Sequence, residues 1–271
     1  MFAKVYQSLR YKYVNRYRAL STLDFGDEPH QFFLVSYPRS GNTWVRFLLA
    51  NLLKENDDEL FLQNLRFFIP DTHDKNQRKY ISNEGSAFKQ LKFQFLKTHD
   101  PFFLYYRNKK VIYIVRDGRD VINSFYHYQN SRTNKTISII DLVKWNKDIP
   151  MGIWSDHVTN WTCAECKNKL IIKYEDLIAD PYGETMRLLS WLGWRLDQSS
   201  VHDAIKNSSI GNLQRLEEKH GVFYKDKIGA GNQTLFFRKG EVGDWKHTFS
   251  SADLQAFWKI HGKGMRHFGY S

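Results

Sequence analysis

Between Ser36 and Trp44 the chain reads Ser-Tyr-Pro-Arg-Ser-Gly-Asn-Thr-Trp, a set of residues suited to holding an anion beside a flat ring. Arg39 brings a full charge. Gly41 lets the backbone come close to a ligand. Asn42 and Thr43 are of types that cap helices, and Trp44 offers an apolar face. The apolar stretch Phe32-Phe33-Leu34-Val35 leads in, and Val45 to Leu53 leads out with helical character. Strand, tight turn and helix in that order leave the first N–H groups of the helix unsatisfied and aimed at the turn. A phosphate next to a planar ring describes a nucleotide. The pattern is not Walker A, which needs Gly, four residues, then Gly-Lys-[Ser/Thr]. Here one glycine is present and no lysine follows it. In isolation, an ordinary strand–helix turn closed by a glycine would read the same way.

Other residues with chemistry lie at the ends of similar apolar runs. Phe93 to Lys97 ends at Thr98-His99, Lys110 to Val115 ends at Arg116, and Lys169 to Lys173 ends at Tyr174. These runs are short and largely apolar, as in strands covered on both faces. Helical stretches are expected over 42–54, about 118–130, and about 138–167 in two pieces. Strands alternating with helices predict an α/β fold with a parallel sheet flanked by helices. In such sheets ligands bind beyond the carboxyl ends of the strands, where Arg39, His99, Arg116 and Tyr174 all fall. Residues 54–91, polar and irregular, read as an excursion covering the site. Residues 220–237 place Gly221, Gly229 and Gly231 among aromatics and read as a mobile flap. Phe102, Phe103, Tyr105 and Tyr106 suit either an acceptor pocket or the packing of a short helix. His157 reads as a pocket wall.

Composition bounds the function. A chain of 271 residues, 42% hydrophobic and 16% aromatic, can bury one full core. Lys and Arg number 40 against 29 Asp and Glu, a net charge of +11 that raises the local concentration of anions without naming one. The two cysteines, Cys163 and Cys166, give no disulfide framework and no second pair for a zinc knuckle. They read as reduced thiols, which favours a reducing, cytoplasmic setting. No stretch approaches the roughly 20 apolar residues that span a bilayer, and no secretory signal opens the chain. Residues 1–23 read as a basic amphipathic helix, with Lys4, Arg10, Lys12, Arg16 and Arg18 against Phe2, Val5, Leu9, Tyr13 and Tyr17. It suits packing on the domain that follows, residues 24–271, and leaves peripheral membrane contact open.

Several segments together resemble the cytosolic sulfotransferase family, in the family's order from residue 32 to residue 268. Ser36 to Trp44 is similar to its 5′-phosphosulfate loop. Lys97-Thr98-His99 is similar to the segment with its catalytic histidine, and Lys110 to Tyr128 to its 3′-phosphate segment. Gly152 to Trp161 and Tyr174-Glu175-Asp176-Leu177 also match, and Arg238 to Lys246 resembles its C-terminal signature. The resemblance implies a single α/β domain related to nucleotide kinases. It implies 3′-phosphoadenosine 5′-phosphosulfate (PAPS) as co-substrate, 3′,5′-ADP (PAP) as product, and no metal. By resemblance, Arg39 with Ser40, Gly41, Asn42 and Thr43 holds the phosphosulfate, and Trp44 stacks on adenine. Arg116 and Ser124 bind the 3′-phosphate together with Arg238, Lys239 and Gly240, and Tyr174 and Ser208 contact adenine. His99 is the expected general base, with Lys97 and Arg39 neutralising charge on the leaving oxygen.

The chain departs from the family pattern in places. Arg39 stands where a lysine is usual and Asn42 where a threonine is usual. Phe249-Ser250-Ser251 and Gln255 break the dimer motif, so no oligomeric state is carried over. The departures point to a bacterial member. A small-molecule acceptor with a hydroxyl or amine is expected, and no nucleic acid. Two alternatives are a P-loop kinase, against which the missing Gly-Lys-[Ser/Thr] counts, and a basic nucleic-acid-binding domain. The latter requires exposed aromatics interleaved with cations on one face, a look confined to the first 20 residues. A scaffold that binds the nucleotide without turnover is disfavoured by Lys97 and His99.

Overall fold

The computed structural model describes residues 16, 20, 30–54, 59–83, 85–131, 136–144, 151–221 and 236–271. Four parallel strands form one sheet in the order β2-β1-β3-β4: β1 Gln31–Ser36, β2 Gln94–Thr98, β3 Lys110–Val115 and β4 Asn168–Lys173. Alternation along the strands divides the core. Phe33, Val35, Leu96, Val111, Tyr113 and Val115 face one hydrophobic cluster, while Phe32, Leu34, Phe95, Ile112 and Ile114 face the other. Both faces must therefore be covered, which is why these runs show no polar side. Each such buried side chain contributes roughly 1.5–3 kcal/mol relative to exposure.

Helices α1 (Asn42–Leu53), α2 (Lys75–Ile81), α3 (Gly118–Asn130), α4 (Ile139–Lys144) and α5 (Trp154–Cys163) come first. After them follow α6 (Tyr174–Ala179), α7 (Pro181–Leu192), α8 (Gln198–Asn207), α9 (Ile210–His220) and α10 (Ser251–His267). On one face α5 and α10 supply Trp154, Trp161 and Phe257; on the other α1, α7 and α8 supply Leu49, Leu188 and Val201. The described residues between 54 and 91 hold more regular structure than their composition suggests, with α2 and short helical turns at Leu65–Phe68 and Ala87–Gln90. The Pro70–Thr72 stretch covers the outer edge of β2 by pairing with Lys97.

The register aligns the strand ends. Val35 pairs with Thr98, Ser36 with Ile114, and Val115 with Lys173. His99, Arg116 and Tyr174 thus leave the sheet along one edge, and the turn after β1 leaves beside them. Phe102, Phe103, Tyr105 and Tyr106 resolve to packing: they surround a short 3₁₀ turn at Leu104–Tyr106 and lie against the core. Cys163 and Cys166 are free, the first exposed and the second buried. The N-terminal helix expected over 1–23 lies outside the described residues except for Arg16 and Leu20, and the flap glycines Gly229 and Gly231 lie outside them entirely. Among the described residues no helix is long and apolar enough to cross a membrane.

Candidate active site

A cavity of about 580 Å³ opens at the carboxyl edge of the sheet. It gathers Arg39, Gly41, Asn42, Thr43, Trp44, Lys97, His99, Arg116, Ser124, Tyr174, Arg238, Lys239 and Gly240. These come from the turn after β1, the ends of β2 and β3, helices α1, α3 and α6, and the loop before α10.

The turn after β1 is held in a costly conformation. Arg39 is the one non-glycine with positive φ, 69°, among the described residues, and Gly41 follows at φ 94°. Gly41, not Asn42 or Thr43, is the N-cap of α1. Because the left-handed glycine tightens the turn, Asn42 falls inside the helix. Its side chain points back, donating to the Ser36 hydroxyl at 3.2 Å. The N–H groups of Asn42, Thr43 and Trp44 have no backbone partner among the described residues, so the mouth of the cavity carries the positive end of a twelve-residue helix. A Cβ on Gly41 would lie 2.5 Å from Tyr174 Cδ2. Gly41→Ala should therefore displace Tyr174 and lower Tm by more than Gly193→Ala. At Gly193, φ is +66° and a Cβ meets nothing within 4 Å. The control carries the backbone cost alone, about 1–2 kcal/mol, and equal melting losses in the two variants would show that the close approach of Tyr174 is unimportant.

Arginine and aromatic groups then interleave. Arg39 Nε donates to Ser124 Oγ at 3.0 Å, and its guanidinium lies 4.7 Å from the ring centroids of both Tyr128 and Phe236. Arg116 is buried over the Tyr174 ring at 4.3 Å, donating to the Glu241 carbonyl at 2.8 Å. The Tyr174 hydroxyl donates to the Gly240 carbonyl at 2.8 Å, and Trp44 meets the Tyr174 ring edge-on. Arg238 and Lys239 share the buried carboxylate of Asp244, with Lys239 Nζ at 3.0 Å. Burial alone would raise the Asp244 carboxyl, but these two cations hold it at about 2. The loop bearing them is tied to α3, where Asp120 accepts the N–H groups of Gly243 and Trp245 and Asn123 donates to Asp244.

On the opposite wall stand Lys97 and His99. Lys97 is buried and its ammonium is 2.6 Å from Asp71, a cavity residue that the sequence did not single out as its partner. Burial disfavours the Lys97 charge and pulls its pKa down against the pull of Asp71. His99 Nδ1 lies 2.8 Å from the Ser36 carbonyl. A carbonyl only accepts, so Nδ1 carries the proton and Nε2 is the basic nitrogen. Burial first, then the Lys97 charge, lowers the His99 pKa well below its ordinary value and keeps the ring neutral.

Other expected site residues fall elsewhere. Ser208 is buried, donates to the Ala204 carbonyl at 2.6 Å and accepts from Asn51; its neighbour Ser209 is the one on the cavity wall. Ser40 is buried beneath the turn. His157 is not a wall of the cavity: it accepts from Tyr113 and donates to the Asp100 carbonyl, and burial lowers its pKa to about 4.

A family model described as a sulfotransferase domain matches residues 29–269. The 3-beta-hydroxysteroid sulfotransferase of Cavia porcellus is 28% identical over 85% of this chain and 82% of its own length. The flavonol 4'-sulfotransferase of Flaveria chlorifolia is 28% identical over 85% of this chain and 78% of its own. Among solved structures, a mouse sulfotransferase complexed with PAP superposes with a TM-score of 0.65 at 21% identity, over 92% of this chain and 88% of the other. Retinol dehydratase in a complex with retinol and PAP gives 0.65 at 21% identity, over 92% and 86%.

Proposed function

The chain belongs to the sulfotransferase family, and from that premise we propose that it moves a sulfuryl group from PAPS to a hydroxyl or amine of a small-molecule acceptor, with His99 as general base. The observation that carries this reading is a neutral histidine with its Nε2 left basic, lining the same cavity as a helix N-terminus and a ring of cations. The residues present suit the nucleotide. The amides of Asn42 to Trp44 are without backbone partners among the described residues, and the buried Arg116 Nε is also without a partner among them. Both are donors awaiting an anion.

Arg39 and the α1 amides would hold the 5′ end, where PAPS carries its transferable sulfuryl group. Arg116, Arg238, Lys239 and Ser124 would hold the 3′-phosphate, with Trp44 and Tyr174 at the adenine. His99 would take the acceptor's proton at Nε2, and its Nδ1–H bond to Ser36 fixes the ring for that task. Lys97 differs from a free cation. With Asp71 at 2.6 Å the pair is close to neutral, so stabilising charge on the leaving oxygen falls mainly to Arg39 and the helix amides. Retinol and steroid compounds named for the relatives make a small organic acceptor the natural class.

The nucleotide assignment is tested by melting. At a hundredfold excess over Kd, 3′,5′-ADP should raise Tm by roughly 5–10 °C, and 5′-AMP by much less, because it lacks the group for Arg116, Arg238 and Lys239. Equal shifts would remove the 3′-phosphate assignment. Incubation with PAPS and a panel of phenols, alcohols, sugars and amines, read by mass spectrometry for an added sulfonate, identifies the acceptor.

A further inference from the structure

Asp100 follows His99 directly, and its side chain is 5% exposed. Both of its carboxylate oxygens accept from Arg16 Nε, at 2.9 and 2.8 Å. The same guanidinium donates to the Thr72 carbonyl at 2.8 Å and to the Thr72 hydroxyl at 2.6 Å. Thr72 is itself bonded to the catalytic strand. Its N–H and its hydroxyl donate to the Lys97 carbonyl at 2.9 and 3.1 Å, and the Lys97 N–H donates to the Pro70 carbonyl at 2.9 Å. One planar group therefore spans two walls of the cavity. One is the end of β2 with Lys97 and His99; the other is the turn that carries Asp71 and Asp74. His73 and Tyr106 complete the shell: His73 Nε2 is 3.2 Å from Asp100, and the Tyr106 hydroxyl donates to Asp100 at 2.6 Å. Leu20, four residues on from Arg16, is fully buried in the core, so the two described residues of the N-terminal segment both rest on the same body.

Resting on the sulfotransferase reading, we propose that Arg16 is a positioning residue that fixes His99 and the acceptor-side wall in one geometry through Asp100 and Thr72. A buried ion pair is by itself a poor source of net stability, since apolar groups of the same volume serve as well. What an arginine adds is direction: a rigid planar fork meets a carboxylate, a carbonyl and a hydroxyl along fixed, spread-out directions, where a lysine offers one compact point charge. The consequence for chemistry is that the Nδ1–H bond from His99 to Ser36, and with it the basic Nε2, depends on a residue 83 positions away in the chain.

The experiment reads the His99 ring directly and needs no acceptor. Nitrogen-15 spectra of histidine-labelled protein at neutral pH, assigned with His99→Gln, should show His99 in the Nδ1–H tautomer in the wild type. Arg16→Ala should shift those resonances to the averaged positions of a mobile neutral ring, and Arg16→Lys should fall between. The Kd for 3′,5′-ADP should stay near wild type in both, because its cations lie on the other side of the cavity. Should Arg16→Ala fail to fold, Arg16→Lys, which keeps the charge beside Asp100, carries the test. A wild-type His99 pattern in the folded variants overturns the proposal, as does a loss of 3′,5′-ADP affinity in parallel with the ring shift. A wild type that does not bind 3′,5′-ADP would instead overturn the sulfotransferase reading.

Discussion

Replacing His99 with alanine is expected to lower kcat by about 10²–10⁴-fold, the usual contribution of a positioned general base, while the Kd for 3′,5′-ADP stays close to wild type. The split follows from position. His99 leaves the sheet at the end of β2 and is held by Ser36, whereas the cations for the nucleotide come from the loop before α10 and from β3. The pH profile gives a second reading of the same group. A base must be neutral to act, and burial and the neighbouring ammonium of Lys97 both penalise the charged ring, against the opposing pull of Asp71. His73, also facing the ring, adds to the penalty when it is charged. Activity should therefore persist as the pH falls through the ordinary histidine value of 6.5 and be lost only below it. His99→Ala should show a low rate without that acid limb. Near-wild-type kcat in the variant, with an acceptor confirmed for the wild type, would remove His99 from the mechanism.

How much of this was legible in the sequence depends on whether a residue acts alone or through a partner. Runs such as Phe32 to Val35 and Val111 to Val115 carry apolar groups at consecutive positions and are short and largely β-branched or aromatic, which suits a strand buried on both faces; the two core clusters divide them accordingly. The end of each run then placed Arg39, His99, Arg116 and Tyr174 on one edge, because parallel strands share a direction. Partners were not legible. Asp71 meets Lys97 across 26 positions and Arg16 meets Asp100 across 84, and nothing in a single sequence ties such residues together. Asp244 stood within the recognised C-terminal signature, yet its hold on both Arg238 and Lys239 needed the folded loop. Side-chain direction at helix ends was also out of reach. Ser208 and Ser209 differ by one position at the close of α8, and that step turns one hydroxyl inward and sets the other on the cavity wall. Likewise, the left-handed Gly41 moves the cap of α1 by one residue and turns Asn42 toward the sheet.

Arg39 gives the second large effect, and the structure sharpens the choice between two accounts of it. If a point charge near the leaving oxygen is all that matters, Arg39→Lys should preserve turnover. If the planar fork matters, lysine should fail nearly as badly as alanine. The geometry favours the fork. The guanidinium is layered between Tyr128 and Phe236, 4.7 Å from each ring centroid, and its Nε is committed to Ser124 at 3.0 Å. These contacts fix the plane of the guanidinium. An ammonium cannot stack in this slot with the same contact area, and it offers no equivalent of Nε to keep Ser124 in place. Loss of one charge-stabilising donor at a reacting centre typically costs about 10²–10³-fold in kcat, so Arg39→Ala should fall in that range and Arg39→Lys close to it. The KM for PAPS should change less than kcat in both, because the α1 amides and Arg116 still bind the ground state. The backbone does not confuse the comparison: position 39 has φ 69°, and lysine and alanine pay the same left-handed cost that arginine already pays. Wild-type kcat in Arg39→Lys, with a large loss in Arg39→Ala, would establish the point-charge account instead. Full kcat in both would take Arg39 away from the reacting centre, and the reading of residues 36–44 as a phosphosulfate loop would lose its chemical support.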